Sequence, residues 1–398
     1  TTPGAETWFR SFVETAHGLG VDGWMADFGE ALPYESRMGD GRTGKQAHND
    51  YPLRWTGANL NAWNTLEPSG DFMLFTRSGY TGTAARTRVH WLGDQLASFD
   101  RNDGLGSVIP LYLSAGLSGI PLTHSDVGGY VRAIGHQRTF EVWARWLELE
   151  AFTPVMRTHH GSEPEAAIQW YSSPETLSLF RRYARWHQRL LPYFTMLVEQ
   201  AAQTGAPACR PLWWGNENQT SLYQIETEML VGPHLLLAPI LEEGSTSRHV
   251  VFPPGNWARW HSFDTSLDTP ISQADDTFTA ALDETILFVG PGAAIALLNE
   301  DYDTLAPVKD TQHQAGVRTA PETFTTLEFL LSPGGETTGS LQNESFGTTT
   351  WSWSAQNSEP LTFENAQWDG QALGPCEQAD STNCITDTQQ LKLRYSSS

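Results

Sequence analysis

The stretch Gly20-Val-Asp-Gly-Trp-Met-Ala-Asp-Phe-Gly-Glu30 constrains this chain more than any other. Val21, Trp24, Met25 and Ala26 form an apolar run that delivers the backbone to a carboxylate, Asp27, and stops at Phe28-Gly29-Glu30. Upstream, Phe9, Phe12, Val13, Ala16 and Leu19 recur at helical spacing, which predicts an amphipathic helix over 9–19. Downstream, Pro33 has no N–H to give to a ladder, so no strand runs through Ala31-Leu-Pro-Tyr34. Helix, buried strand, then an acid at the strand's C-terminal end is the order of an α/β barrel, whose catalytic groups collect at that face. Taken alone, Asp27 fits a helix N-cap or a turn acid equally well.

Further units of the same kind follow. Asp71-Phe-Met-Leu-Phe75 ends in Thr76-Arg77-Ser78-Gly79, and Arg88-Val-His-Trp-Leu92 ends in Gly93-Asp94. Gly119-Ile-Pro-Leu-Thr123 leads to His124-Ser125-Asp126-Val127-Gly128-Gly129-Tyr130, and Phe152-Thr-Pro-Val-Met156 leads to Arg157-Thr158-His159-His160. Each reads as a buried strand with a polar tip. Helices are expected over 108–118, over 139–151 with Phe140, Trp143, Trp146 and Leu147 on one face, and over 176–204 with a bend at Pro192. These are read as the last five strands of a (β/α)8 TIM barrel over residues 1–205. The first three strands are expected upstream of Thr1, since the chain starts without Met and carries no signal peptide, as an N-terminal truncation would leave it.

A chain of 398 residues has room for two or three domains. After about residue 205 the pattern changes to short apolar runs with Gly and Pro between them. Pro211-Leu-Trp-Trp214, Leu235-Leu-Leu-Ala238, His249-Val-Val-Phe252, Trp257-Ala-Arg-Trp260 and Thr285-Ile-Leu-Phe288 predict a β-sandwich over 206–300. From 301 to 398, Thr, Ser, Gly and Gln dominate around an alternating Trp351-Ser-Trp353, which predicts a second, more polar β module. Within it, Gly334 to Gly347 reads as a loose loop.

The net charge of −22 argues against a nucleic-acid partner, which calls for clustered Lys and Arg. No run of 18 apolar residues encodes a membrane-spanning helix. The 16 tryptophans suit sugar sites, where a flat ring packs on C–H faces, and equally suit the core of a large enzyme. Cys209 sits in an apolar context as a structural thiol. Cys376 and Cys384 bracket a short polar loop. A disulfide there would imply an oxidising compartment, periplasmic or secreted, and two free thiols fit as well.

The chemistry rests on Asp27 and Asp94, two strand-end acids 67 residues and two strands apart. On a barrel rim such acids converge over the mouth. A carboxylate pair is what glycoside cleavage needs, one attacking C1 or positioning water, the other protonating the leaving oxygen. A separation of about 5–5.5 Å gives retention and about 6.5–9.5 Å inversion.

Taken together, these motifs resemble glycoside hydrolase family 31. The anchors are Gly23-Trp-Met-Ala-Asp27-Phe-Gly-Glu30, Thr76-Arg77-Ser78, His90-Trp-Leu-Gly-Asp94, Ser125-Asp126-Val-Gly-Gly129 and Met156-Arg-Thr-His159. Pro239-Ile-Leu-Glu-Glu-Gly244 and Phe252-Pro-Pro-Gly-Asn-Trp257 look like the family's first C-terminal sandwich. The resemblance implies a retaining α-glycosidase on a (β/α)8 barrel, with Asp27 as nucleophile and Asp94 as general acid/base. It implies that Arg77 and His159 hydrogen-bond sugar hydroxyls and that Trp91 lines the same subsite. For each there is a plainer reading: Arg77 neutralises the rim's acids, and His159 is an ordinary loop histidine beside a similar His160. Asp126 is expected to support the site from behind. The implied chemistry needs no metal or organic cofactor.

Trp24-Met-Ala-Asp27-Phe-Gly-Glu30, His48-Asn49 with Tyr51-Pro52 and Trp55, and Gly128-Gly129-Tyr130 are similar to the sulfoquinovosidase branch. There, Tyr130 matches a sulfonate-binding tyrosine where α-glucosidases carry Phe; a packing role is the alternative. The branch's other sulfonate ligands fall upstream of the nucleophile and outside this chain. The resemblance therefore implies an exo-acting α-glycosidase of small carbohydrate substrates, either α-sulfoquinovosides or, on the same machinery, α-glucosides or α-xylosides. A non-catalytic carbohydrate-binding protein would have lost one carboxylate, and both are present.

Overall fold

The computed structural model describes residues 3–87, 89–132, 135–261, 267–268, 271, 275–298 and 326–332, and strands over 335–343, 347–355, 363–368, 371–372 and 391–394. Helix α1 (Pro3–Gly18) leads to strand β1 (Gly23–Ala26). A loop carrying α2 (Gly44–Ala47) and then α3 (Tyr51–Leu66) returns the chain to β2 (Met73–Thr76). There follow β3 (Val89–Trp91), α4 (Leu105–Leu117), β4 (Thr123–His124), β5 (Asp126–Val127), α5 (Phe140–Glu150), β6 (Arg157–Thr158), α6 (Pro174–Arg189) and α7 (Leu191–Thr204).

Strands β1, β2, β3 and β4 pair in parallel and in chain order, and β5 pairs in parallel with β6. The register places Ala26 beside Thr76, Thr76 beside His90, and Trp91 beside His124. The C-terminal ends therefore lie along one edge, and the residues just past them share that edge. The break between β4 and β5 falls at Ser125. Two of the ladders begin later than the apolar runs suggest, at Thr123 and Arg157. Pro121 and Pro154, inside those runs, have no N–H to donate.

Helix α3, which the sequence reading did not anticipate, carries Pro52 in its first turn. Its buried face holds Thr56, Asn59, Ala62 and Trp63, and Asn59 Oδ1 accepts from the Trp24 indole at 2.9 Å. That packing selects the face of α1. Val13 is buried and Phe9 meets Trp24 and Trp55, whereas Phe12 and Leu19, expected on the same face, lie on the surface. Helix α5 differs too, being buried on every side from Val142 to Glu150 rather than on one face. Its Arg145 and Glu148, both about 1 % exposed, pair at 3.0 Å, and Arg145 also donates to Ala281 O and Ser245 O. The charges inside this helix are tolerated because they are mutually paired. The long helix expected over 176–204 is two, broken at Leu190 ahead of Pro192, which fills the first turn of α7.

The next strands are β7 (Cys209–Arg210), β8 (Met229–Val231), β9 (Leu235–Leu237), β10 (Ser247–Val251), β11 (Ala258–Arg259), β12 (Asp275–Thr279) and β13 (Leu287–Val289). They form one five-stranded sheet, β11-β13-β9-β8-β7, and an antiparallel pair, β10-β12. Met229, Val231, Leu235, Leu237, Leu287 and Val289 face a core shared with the helices of the barrel half. Leu230, Leu236 and Phe288 face a second core with Val250 and Phe252. Burial on both faces explains why these strands read as unbroken apolar runs. Pro211-Leu-Trp-Trp214 is a turn rather than a strand, closed by Trp214 N–H to Pro211 O at 3.0 Å. Cys209 is a buried free thiol.

Beyond these, β14 (Ala294–Leu298) pairs with β15 (Thr326–Leu331). A meander of β16 (Gly335–Asn343), β17 (Gly347–Ala355), β18 (Phe363–Trp368) and β19 (Gln371–Ala372) follows, and β20 (Leu391–Arg394) closes on β15. The stretch expected as a loose loop after Gly334 is strand β16, in unbroken register with β17. Its Thr337 and Thr338 are residues that suit a strand. Cys376 and Cys384 lie outside the described residues. Among the described residues no helix is long and apolar enough to cross a membrane.

Candidate active site

The tip of β1 is a sharp turn held from several directions. Phe28 adopts φ 61°, a left-handed conformation that bulky L-residues rarely take. Its N–H donates to Asp27 Oδ1 at 2.8 Å, and its carbonyl accepts from the Ser78 hydroxyl at 2.7 Å. The Trp55 indole donates to Asp27 O at 2.9 Å. At Gly29, with φ +95°, a Cβ would fall 2.6 Å from the Trp55 ring, so no larger residue fits. Strain of this kind persists only where the surroundings over-determine it, and here it aims Asp27 off the strand end.

Arg77, just past β2, gathers the rim's acids. Its Nε lies 3.2 Å from Asp27 Oδ1 and 3.1 Å from Glu30 Oε1. Its Nη2 donates to Glu30 Oε1 at 2.6 Å and its Nη1 to Asp94 Oδ2 at 2.9 Å. Asp27 and Asp94 thus face each other across a single planar guanidinium. Burial works against the Arg77 charge, but the hydrogen bond to Glu30 and the charges of Asp27, Glu30 and Asp94 outweigh it, and its pKa is raised. Phe28 covers one side of the guanidinium at 4.5 Å, and the Trp91 ring lies 5.8 Å away.

A second cation, Arg157 at β6, forms the floor. It pairs with the buried Asp126, donates from Nε to His124 Nε2 at 3.1 Å, and lies 5.1 Å over Trp91 and 5.3 Å over Phe75. Burial pushes the Asp126 carboxyl up to about 6 against the opposing pull of Arg157 and Arg138. Burial, then the Arg157 charge, pushes His124 down to about 3, so its ring is neutral and its Nε2 accepts.

His159 and Tyr130 meet edge to face at 4.9 Å. His159 Nδ1 accepts the Gly161 N–H at 3.0 Å. Burial, then Arg157, lowers its pKa, while Asp94 acts in the opposite sense. A neutral ring with Nδ1 occupied keeps its proton on Nε2, free to donate to a hydroxyl. Arg138, 2 % exposed, ties this wall together by donating to Gly128 O at 3.2 Å, to Gly129 O, and to His159 O at 2.7 Å.

The structure thus brings Asp27, Asp94 and Arg77 into one cluster with Trp91 beside it. Asp126 lies behind through Arg157, and His159 and Tyr130 form one wall. Sequence reasoning missed Glu30, Arg138 and Arg157 as site residues. Glu30 and Arg157 stood inside quoted motifs, but their partners lie 47 and 31 positions away and nothing local announces them. Among the described residues no group of three or more His, Cys, Asp or Glu side chains is placed to hold a metal ion.

Behind the floor, Glu150 is fully buried and accepts from Tyr112 OH, Ser125 Oγ and Thr153 Oγ1, while the Trp146 indole donates to Ser125 Oγ at 2.7 Å. Every donor is neutral, and burial pushes the Glu150 carboxyl up to about 7. A raised pKa means that the folded state holds the proton more tightly, so this group's contribution to stability is lost as pH rises from about 4.5 to about 7. Glu150→Gln, which cannot ionise, is expected to flatten that decline. Denaturant unfolding of both proteins across this range checks it, and parallel curves would contradict it.

The chain matches the model of the glycosyl hydrolases family 31 TIM-barrel domain over residues 1–197. It matches that of the glycosyl hydrolase family 31 C-terminal domain over 205–295. It is 37% identical over 283 residues to a sulfoquinovosidase of Agrobacterium fabrum, covering 69% of this chain and 43% of that protein. It is 36% identical over 258 residues to a sulfoquinovosidase of Escherichia coli, covering 65% and 38%. Among solved structures, a family 31 sulfoquinovosidase from E. rectale in complex with the aza-sugar inhibitor IFGSQ superposes with a TM-score of 0.68 at 35% identity, covering 72% of this chain and 43% of that one. The chain therefore spans less than half the length of these relatives.

Proposed function

The chain belongs to glycoside hydrolase family 31, and we propose that it supplies both catalytic carboxylates of a retaining, exo-acting α-glycosidase whose substrates are α-sulfoquinovosides. The observation that carries this reading is the joint hold of one guanidinium, Arg77 after β2, on Asp27 at 3.2 Å and Asp94 at 2.9 Å, which follow the flanking parallel strands β1 and β3. Asp27 attacks C1 as Asp94 protonates the leaving oxygen. Asp94 then takes a proton from water, which releases the sugar with its α configuration. His159 Nε2–H donates to a hydroxyl beside the cleaved bond, and Trp91 lines that side of the pocket. Asp126 holds Arg157 beneath.

The sulfonate preference draws on the named relatives and on Tyr130, whose phenol is a donor suited to an anionic oxygen. Arg157, close enough to act on His159, adds positive charge on that side. The comparison of kcat/KM on para-nitrophenyl α-sulfoquinovoside and para-nitrophenyl α-glucoside tests it. We expect the sulfonate to be preferred by about 10³-fold or more. A preference for the glucoside would leave Asp27 and Asp94 in their roles, return Tyr130 to packing, and move the protein to the α-glucosidases.

A further inference from the structure

Three carboxylates share the Arg77 guanidinium, but a two-carboxylate mechanism uses only two of them. Glu30 makes the shortest contact, 2.6 Å to Nη2, and a second at 3.1 Å to Nε, whereas Asp94 receives Nη1 alone. Its side chain is also the most exposed of the three, at 47% against 25% for Asp27 and 37% for Asp94. This sets a conflict within the cluster. An adjacent guanidinium favours the ionised form of a carboxyl, yet Asp94 must carry a proton when the leaving group departs. Once Asp27 has attacked C1 and Asp94 has let go, Glu30 is the carboxylate left to pair a largely buried arginine.

We propose that Glu30 is a positioning residue that competes with Asp94 for Arg77, so that Asp94 can hold its proton in the first step. The inference rests on the glycosidase reading of the site. Glu30 keeps two of the guanidinium nitrogens engaged, so Nη1 can let go of Asp94 or turn to a substrate hydroxyl while the cation stays paired. Its negative charge also adds to the field that disfavours a second anion at Asp94.

The charges around Asp94 come from several elements. Asp27 and Glu30 follow β1, and Arg77 follows β2. Asp103 stands in the loop after β3 and Asp126 on β5, and each feels Asp94 as a like charge. His159, after β6, feels the Asp94 charge from the far wall. Among the described residues Asp27 and Glu30 both hold Arg77, the cation that contacts Asp94, and of these two Glu30 is the one that keeps its charge when Asp27 attacks C1.

Glu30→Gln tests this, because the amide oxygen can still accept from Arg77 but the charge is gone. With Arg77 left to Asp27 and Asp94, the alkaline limb of the kcat/KM profile should move to lower pH by about half a unit or more. Glu30→Asp, which keeps the charge, should move it less. A purely structural role would lower the amplitude or the unfolding temperature and leave the limb in place. In the intact protein we would also follow the Asp94 carboxyl by 13C NMR in wild type and Glu30→Gln, which reads the coupling without turnover. Activity with neither the limb nor the Asp94 titration displaced downward overturns the role of Glu30 and leaves the glycosidase reading standing. An Asp94 titration that drops in a protein that cleaves no α-glycoside does the reverse.

Discussion

Asp27→Asn is expected to lower kcat on an α-glycoside by about 10⁴-fold or more, because a carboxamide neither attacks C1 nor serves as the leaving group in the second step. The substitution is close to isosteric and the turn around it asks little of the charge. Phe28 N–H donates to Oδ1, and an asparagine oxygen accepts it as well. The Trp55 and Ser78 contacts go to backbone carbonyls and are untouched. Arg77 keeps Glu30 and Asp94. The variant should therefore fold and bind, and steady-state rates alone check the role. Activity near wild type would remove Asp27 as nucleophile.

Asp94→Asn should separate the two steps. An alkyl glycoside needs its departing oxygen protonated, so kcat/KM on such a substrate should fall by roughly 10²–10⁴-fold, the usual share of general acid catalysis. A para-nitrophenyl glycoside needs little help to depart, so the first step should survive. Deglycosylation still lacks the base that deprotonates water, and a burst of nitrophenol followed by slow turnover is the expected trace. Rapid and complete hydrolysis of both substrates would contradict the assignment. Losing the Asp94 charge also leaves Arg77 to Asp27 and Glu30 alone, so the variant keeps a paired guanidinium.

The parts of this site legible in sequence were those where a strand's own pattern ends on a functional group. Trp24-Met-Ala-Asp27 and His90-Trp-Leu-Gly-Asp94 each announce an acid at a rim, and parallel pairing then places the two together. Arg77 was legible as a rim residue, and its contacts are those of the plainer expectation, that it neutralises the rim's acids. Glu30, Arg138 and Arg157 were not legible, because what they do depends on partners supplied by other strands and loops. Local propensity failed where tertiary packing decided the outcome. The polar run at Gly335–Asn343 is a strand because β17 pairs along all of it. Pro211-Leu-Trp-Trp214 is apolar because it packs beneath the sandwich, and it turns nonetheless. Helix α3 escaped notice because its buried stripe includes Thr56 and Asn59, polar residues whose partners lie within the fold.

Between the two steps Asp27 is expected to carry the sugar covalently. The most direct measurement is to incubate the intact protein with a fluorinated α-glycosyl fluoride, whose ring fluorine slows release of the glycosyl-enzyme, and to locate the added mass by peptide mass spectrometry. One equivalent of sugar is expected on the peptide that carries Asp27, discharged with time as activity returns. Label on the peptide carrying Asp94 or Glu30 instead, or turnover of the fluoride with no labelled peptide under these conditions, would contradict it.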